Sequence, residues 1–151
     1  MSKTVYSIYD NSPKTEQIAS LLGQNNIPKV HLSGLVGSSI SFVIRSVFKK
    51  SELPFLLILN DKEEAAYYLN DLEQMIGDQD VLFYPASFRR PYQIEETDNA
   101  NVLLRAEVLN RINSRKKPAI IVSYPEALFE KVVTRKELDK NTLKVAVGDQ
   151  I

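Results

Sequence analysis

The chain has 151 residues, of which 44% are hydrophobic and 25% are charged, and its 19 basic residues balance its 19 acidic ones. A chain of this length and composition can bury a core without a metal ion or a disulfide, and zero net charge provides no overall field to hold a polyanion. The absence of cysteine excludes disulfides, thiolate metal ligands and a cysteine nucleophile.

Neither targeting nor membrane segments are evident in the sequence. The N-terminus "MSKTVYSIYD" lacks a basic region followed by a long apolar run, so it does not resemble a signal peptide. No apolar stretch approaches the roughly 20 residues that a membrane span needs. We therefore expect a soluble, cytoplasmic protein with no membrane partner.

Residues 1–28 are predicted to form an N-terminal helical segment. "MSKTVYSIYDN" predicts a short helix and "SPKTEQIASLLGQNN" a second one. In the second helix Ser12 is suited to the N-cap and Pro13 to the first helical position. Pro28 then ends the pattern.

Residues 29–133 alternate between strand and helix patterns. The predicted strands are "KVHLSG", "PFLLILN", "DVLFYP" and "PAIIVSYP", and the helices between them begin near Ser38, Asp61 and Asn99. The second strand is almost continuously apolar, which is typical of a strand buried on both faces. This alternation predicts an α/β domain with a mainly parallel sheet flanked by helices.

Residues 134–151 are interpreted as the truncated start of a next domain. In "NTLKVAVGDQI" the apolar residues Leu143, Val145 and Val147 alternate with others, which predicts the beginning of a half-buried strand. No polar tail or terminating pattern follows, so we expect the chain to be a fragment of a longer protein.

The stretch "HLSGLVGSSISFVIRSVF" has the outline of a strand, a phosphate-binding loop and a helix. The phosphate-loop pattern is Gly, four residues, Gly, Lys, then Ser or Thr. Gly34 takes the first place and Ser41 matches the metal-facing hydroxyl, but Ser39 replaces the second glycine and Ile40 replaces the lysine. The residues of this degenerate loop are Gly34, Gly37, Ser38, Ser39, Ile40 and Ser41.

Loss of the lysine removes the positive charge that would meet the outer phosphates. A charge-assisted contact is worth about 1.5–3 kcal/mol, and Ile40 supplies none of it. Asp61 is the nearest candidate for a magnesium ligand, but a lone aspartate at this position is more simply explained as a helix cap. The favoured interpretation is a loop that folds like a phosphate loop without binding nucleotide. A coincidental Gly/Ser turn and a weak phosphate site are the alternatives.

Four ordered blocks of the sequence resemble the N-terminal region of the bacterial transcription-repair coupling factors. They are "HLSGLVGSSISFVIRSVF", "PFLLILNDKEEAAYYLNDLEQM", "VLFYPASFRRPY" and "NANVLLRAEVLNRI…PAIIVSYPEALFEKVV". That region is itself similar to domain 1a of the excinuclease B subunit. The resemblance implies a P-loop NTPase-like fold over residues 29–133, in which the loop has decayed.

The same resemblance implies a function for the longer protein. The family's members are ATP-dependent DNA translocases that displace stalled RNA polymerase and recruit the excinuclease A subunit for nucleotide-excision repair. In the family, ATP and magnesium bind to a C-terminal translocase module. Excinuclease A binds to the domain that follows the N-terminal region, and RNA polymerase and DNA bind to other parts of the protein. Residues 1–151 are then expected to be a structural scaffold with no cofactor, no metal and no catalytic residue.

Two basic clusters are further candidates for anion or nucleic-acid contact. Arg89, Arg90 and Tyr92 mix basic and aromatic side chains that can hold phosphates and stack on bases. An exposed loop with its aromatic residues tucked against the domain is the favoured interpretation. The excinuclease B subunit carries a long aromatic hairpin here, and this chain has no room for one. The run at residues 115–117 lies at a helix end, where cations offset the backbone dipole.

Two other function classes remain open from the sequence. One is a small P-loop NTPase or kinase with an atypical loop, which would need a lysine from elsewhere in the chain. The other is an α/β interaction domain unrelated to repair. His31, the single histidine, has no cysteine or second histidine with which to form a metal site.

Overall fold

The structure is a computed structural model that describes residues 2–24, 29–88, 98–114, 117–132 and Lys136. The described residues form six helices and three strands. These are α1 Ser2–Asp10, α2 Pro13–Leu22, α3 Ser39–Ser51, β1 Phe55–Ile58, α4 Lys62–Ile76, β2 Val81–Phe83, α5 Asn99–Ser114, β3 Ile120–Ser123 and α6 Pro125–Phe129. The predicted α/β class, with a parallel sheet flanked by helices, is confirmed.

The sheet has the strand order β1-β3-β2, and both pairings are parallel. Ile120 of β3 is in register with Phe55 of β1 on one side and with Val81 of β2 on the other. All four residues of β3 are buried because strands flank it on both sides. β3 is therefore the strand around which the core is organised.

Helices α3 and α4 pack against each other and both contact the sheet. Phe48 of α3 meets Phe55 of β1 edge to face, with ring centroids 5.5 Å apart. Leu72 of α4 is fully buried in the same cluster, and α4 packs against β2 and β3. On α5 the buried apolar residue is Val108. The sheet thus lies between helices, as in other α/β domains.

The ends of α4 follow the sequence signals for helix termini. The carboxylate of Asp61 accepts a hydrogen bond from the backbone N–H of Glu64 at 2.7 Å, so the interpretation of Asp61 as a cap is confirmed. Gly77 follows the last turn with φ of +115°, a conformation that favours glycine. In α2, Pro13 begins the helix as predicted, but Ser12 makes no side-chain cap.

Helices α1 and α2 pack on the outer side of α3. Asp10 of α1 accepts hydrogen bonds from Arg45 at 2.8 Å and from Ser46 at 2.6 Å. The guanidinium of Arg45 also lies 4.2 Å from the ring centre of Tyr6. These contacts bury Arg45, which is 6% exposed, and fix α1 to α3.

Two predictions about strands are wrong. Residues 29–33 form no strand, and Val30 and Leu32 are 42% and 45% exposed, since two alternating apolar side chains bury too little surface to hold a strand. The strand β1 is not buried on both faces, because Leu56 and Ile58 are 51% and 57% exposed. β1 is an edge strand, and at this strand only the face that carries Phe55 and Leu57 is partly buried.

Some sequence predictions concern residues outside the described ranges. These are the helical pattern "TRKELDK", the strand pattern of residues 142–147, and the basic residues 115 and 116. Among the described helices, none combines the length and the apolar character that crossing a membrane requires.

Candidate functional site: the loop of residues 34–41

The loop turns by means of two glycines in left-handed backbone conformations. Gly34 has φ of +79° and Gly37 has φ of +54°. A Cβ atom built at either glycine would meet nothing within 4 Å, so the backbone angle, and not lack of space, is what favours glycine. These two turns lead the chain into the first turn of α3 at Ser39.

The loop's own oxygens occupy several of the N–H groups that a phosphate would need. The N–H of Val36 donates to the hydroxyl oxygen of Ser39 at 2.8 Å. The N–H of Ser39 donates back to the carbonyl of Val36 at 3.2 Å, and that of Ile40 donates to the carbonyl of Gly37 at 3.4 Å. A phosphate cradle relies on such N–H groups pointing at the ligand. Here they close the turn on itself.

The remaining hydroxyls of the loop join α3 to α4. The hydroxyl oxygens of Ser38 and Tyr67 lie 2.7 Å apart. Ser41, which matches the metal-facing position of a phosphate loop, is fully buried and donates to the carboxylate of Asp71 at 3.1 Å. Both serines therefore serve helix packing.

The electrostatic surroundings of the loop are acidic. Burial raises the pKa of Tyr68, and the negative charges of Glu64 and Asp71 raise it further. Arg45, the basic residue that follows on α3, is paired with Asp10 on the opposite side. A phosphate at this loop would meet carboxylates without the cation that normally offsets its charge.

Ile40 contributes to an apolar groove beside the sheet. It lines a cavity of about 320 Å³ together with Ile44, Leu57 and Tyr68. The position that carries a cation in a phosphate loop thus holds a half-buried aliphatic side chain that lines this groove. This is what a branched aliphatic side chain favours, because its burial removes apolar surface from water.

The other sequence-predicted site residues do not join this loop. Arg89, Arg90 and Tyr92 lie outside the described residues. Lys117 is described, and its ammonium group contacts the carboxylate of Asp80 at 2.8 Å. His31 is exposed. Within the described part of the chain, no group of three or more metal-binding side chains is close enough to hold an ion.

Sequence analysis missed a buried polar network at the carboxyl ends of β2 and β3. Arg105 of α5, 6% exposed, donates to the carbonyls of Pro85 at 2.7 Å and Ala127 at 3.0 Å. It also pairs with Glu130 at 3.3 Å, and its guanidinium lies 4.2 Å from the ring centre of Tyr84. The detectable signal was its spacing of three residues from buried Val108, which puts both on one helix face.

The polar groups of this network form hydrogen bonds to the chain segment that follows β2. The carboxylate of Glu130 accepts from both the N–H and the hydroxyl of Ser87, each at 2.8 Å. The hydroxyl of Tyr124 accepts from the N–H of Ala86 at 3.0 Å. Ligands often bind at the carboxyl ends of parallel strands, but here these polar groups fix residues 85–87.

Comparison with known proteins finds similarity to transcription-repair-coupling factors. The chain is 25% identical over 121 residues to that of Bacillus subtilis (strain 168), covering 80% of this chain and 10% of the relative. It is 25% identical over 105 residues to that of Rickettsia bellii (strain RML369-C), covering 69% of this chain and 9% of the relative. The chain thus spans about a tenth of the length of these relatives.

Neither a protein-family model nor a solved structure matches the chain. The similarity therefore supports relatedness to one region of a transcription-repair-coupling factor, and the fold rests on the architecture described above.

Proposed function

We propose that residues 1–151 are a non-catalytic N-terminal module of a transcription-repair coupling factor. The longer protein would be an ATP-dependent DNA translocase in the cytoplasm that displaces stalled RNA polymerase during nucleotide-excision repair. Support comes from the similarity over 80% of this chain to such a factor. Further support is the order of elements, in which a Gly/Ser loop and a helix precede three parallel strands.

The domain is further proposed to be a P-loop NTPase-like fold, similar to excinuclease B domain 1a, whose nucleotide site has decayed. The observation that carries this proposal is the closure of the loop on itself. The N–H of Val36 donates to the hydroxyl of Ser39, and the half-buried side chain of Ile40 stands where a phosphate loop has its lysine. The turn then has a structural role alone, and the module uses no cofactor of its own.

Calorimetric titration of residues 1–151 with Mg-ATP tests the absence of nucleotide binding. We expect no heat beyond dilution, because the loop lacks a cation and the N–H groups of Val36, Ser39 and Ile40 already donate within it. A P-loop NTPase with an intact lysine, titrated in the same buffer, is the positive control. Saturable binding with a dissociation constant in the micromolar range would contradict the proposal.

The module is proposed to act as a scaffold for the domain that follows it, which would contact excinuclease A. RNA polymerase and DNA would contact other parts of the longer protein. Capture of excinuclease A by the full-length protein, compared with residues 1–151 alone, tests this division. We expect capture by the former and none by the latter. Failure of the full-length protein to capture it would count against the family assignment.

An atypical NTPase is the second candidate, and one contact favours it. Ser41 and Asp71 form a hydroxyl–carboxylate pair at 3.1 Å, which is the kind of pair that holds magnesium in phosphate-loop enzymes. The pair comes from two helices, however, and Asp71 is not at the end of a strand. ATP turnover that is lost in Asp71→Asn would favour this candidate over the scaffold.

A further inference from the structure

The polar contacts of the chain segment that leaves α6 come from one side chain, that of Glu130. Helix α6 ends at Phe129, and Glu130 has an extended backbone, with φ of −66° and ψ of 138°. Within the described part of the chain, the main chain of residues 130–132 makes no hydrogen bond. Lys131 is exposed and Val132 is 50% exposed. The position of this segment therefore depends on what the Glu130 carboxylate binds.

Both oxygens of that carboxylate have partners. The N–H of Ser87 donates to Oε1 at 2.8 Å and to Oε2 at 3.0 Å, and the hydroxyl of Ser87 donates to Oε2 at 2.8 Å. Nη1 of Arg105 lies 3.3 Å from Oε2. The side chain of Glu130 is 12% exposed, so these charge-assisted contacts are largely shielded from water.

The groups that bind the Glu130 carboxylate are fixed independently of it. Nη1 of Arg105 donates to the carbonyls of Pro85 and Ala127, which holds the segment that carries Ser87. Release of the carboxylate would leave these contacts in place and would free only the segment after α6. Proteins open locally in this way where few contacts hold a segment.

We propose that Glu130 is a latch, a side chain that binds or releases the segment after α6 as a unit. In the closed state the carboxylate binds Ser87 and Arg105, and the chain leaves α6 in one direction. In the open state the carboxylate is in water, and residues 130–132 move independently of the sheet. In the longer protein the latch would set the orientation of the domain that follows, a consequence that rests on the proposed function.

Trypsin cleavage of folded residues 1–151 after Lys131 measures the open state. When opening and closing are faster than cleavage, the cleavage rate follows the population of the open form. Glu130→Ala should raise this rate about tenfold or more, because the closed state loses its charged partner. Ser87→Ala keeps every charge and removes one hydroxyl donor, so it should raise the rate about fivefold.

The two substitutions should not be additive. Adding Ser87→Ala to Glu130→Ala should change the rate no further, because the hydroxyl then has no carboxylate to bind. Glu126→Ala is the matched control, since it removes an exposed carboxylate from the same short helix, and it should leave the rate unchanged. Circular dichroism spectra that match those of the parent would show that each variant folds.

The urea dependence of cleavage separates a local latch from unfolding of the whole domain. Cleavage after Lys49 of α3 requires the core to open, so its rate should rise steeply with urea. Cleavage after Lys131 should be faster and should rise only slightly, because opening the latch exposes little surface. An equally steep dependence at both sites would overturn the proposal, as would a rate at Lys131 that both Glu130→Ala and Ser87→Ala leave unchanged.

Spin labels provide a direct readout of the segment's position, because the chain has no cysteine of its own. Labels at Gln74→Cys, exposed on α4, and at Val132→Cys report the distance from the domain to the segment. We expect a narrow distance distribution by double electron–electron resonance, and a broad one once Glu130→Ala is added. Distributions of equal width would show that Glu130 does not hold the segment.

Discussion

Ser41 in the first turn of α3 donates its hydroxyl hydrogen to Asp71 of α4, with the two oxygens 3.1 Å apart. In a working phosphate loop the matching hydroxyl faces a metal ion. Here it joins two helices, and a carboxylate occupies the place nearest to it. This contact gives Ser41 a partner within the domain, and together with Ile40 it supports the proposed role of the loop as a structural turn.

Restoring the two lost residues should not restore nucleotide binding. The variant Ser39→Gly/Ile40→Lys regains the phosphate-loop pattern, but the carboxylate of Asp71 remains beside Ser41. No strand precedes the loop at residues 29–33 to support it. We expect Mg-ATP binding weaker than about 1 mM by calorimetry.

Adding Asp71→Asn to that variant separates the effect of the Asp71 charge from the effect of the loop's backbone geometry. If the carboxylate is the main obstacle, the triple variant should bind Mg-ATP measurably while the double variant does not. Micromolar binding by the double variant would show that the loop keeps a working cradle and would contradict the expected result.

Leu72→Ala should destabilise the domain by about 2–5 kcal/mol, because it leaves a cavity in the core. Leu72 is fully buried in the cluster between α4 and the sheet. Urea unfolding, followed by circular dichroism, measures the difference. Leu103→Ala is the control and should change stability by less than about 0.5 kcal/mol, because that side chain is exposed. Equal effects of the two substitutions would refute the described core.

Arg105→Leu should cost about 3–5 kcal/mol, because it leaves the carboxylate of Glu130 buried without its cation. The two side chains are 8% and 12% exposed. The same substitution at Arg111, on the same helix but 24% exposed, should cost about 1 kcal/mol. Urea unfolding curves provide both values.

The double variant Arg105→Leu/Glu130→Leu tests whether the pair acts as a unit. It should be less destabilised than the sum of the two single variants, because neither charge is then left unpaired. Additive losses would mean that the ion pair is incidental to the stability of this region.

Asp10 should make the domain less stable in acid. Burial alone would raise its pKa, but hydrogen bonds from Ser46 and Arg45, with the charges of Arg45 and Lys49, lower it below its usual 3.8. A lowered pKa in the folded state gives stability that is present above pH 3.8 and is lost as the pH falls below it. Because the side chain is 38% exposed, Asp10→Asn should cost only about 1 kcal/mol near neutral pH.

Unfolding measured at neutral pH and at about pH 3 checks this expectation. The difference between the parent and Asp10→Asn should begin to shrink as the pH falls below 3.8, because the unfolded parent then binds a proton more readily than the folded one. Glu16→Gln is the control, since Glu16 pairs with Lys50 but is 70% exposed. A difference that stays the same at both pH values would contradict the role of the Asp10 charge.

The sequence predicted the helices and the central strand because each has a strong local pattern. Pro13, Asp61 and Gly77 mark helix ends by their own backbone and hydrogen-bond preferences, and α4 places Ala65 and Leu72 on one face. The turn before α3 was located in the same way, from its glycines and serines. Such features depend on neighbours within a few residues, so they can be predicted from the sequence alone.

Features that depend on distant residues could not be predicted. The strand pattern of residues 29–33 needs a neighbouring strand, and the apolar run of β1 does not show whether one face or two are covered. The hydrogen bond between the hydroxyls of Ser38 and Tyr67 joins residues that are 29 positions apart in the sequence. The burial of Arg105 likewise depends on the carbonyls of Pro85, which follows β2, and of Ala127 in α6, which only the fold brings together.

The N–H of Asp98, just before α5, donates to the carbonyl of Ser87, which follows β2, at 2.7 Å. Because this hydrogen bond joins the two flanking residues, we expect an insertion between them to cost little more than loop-closure entropy, about 0.6 kcal/mol for each doubling of length. A fluorescent probe or an affinity tag inserted between residues 88 and 98 should therefore leave the sheet intact. That position offers a practical handle for labelling the domain.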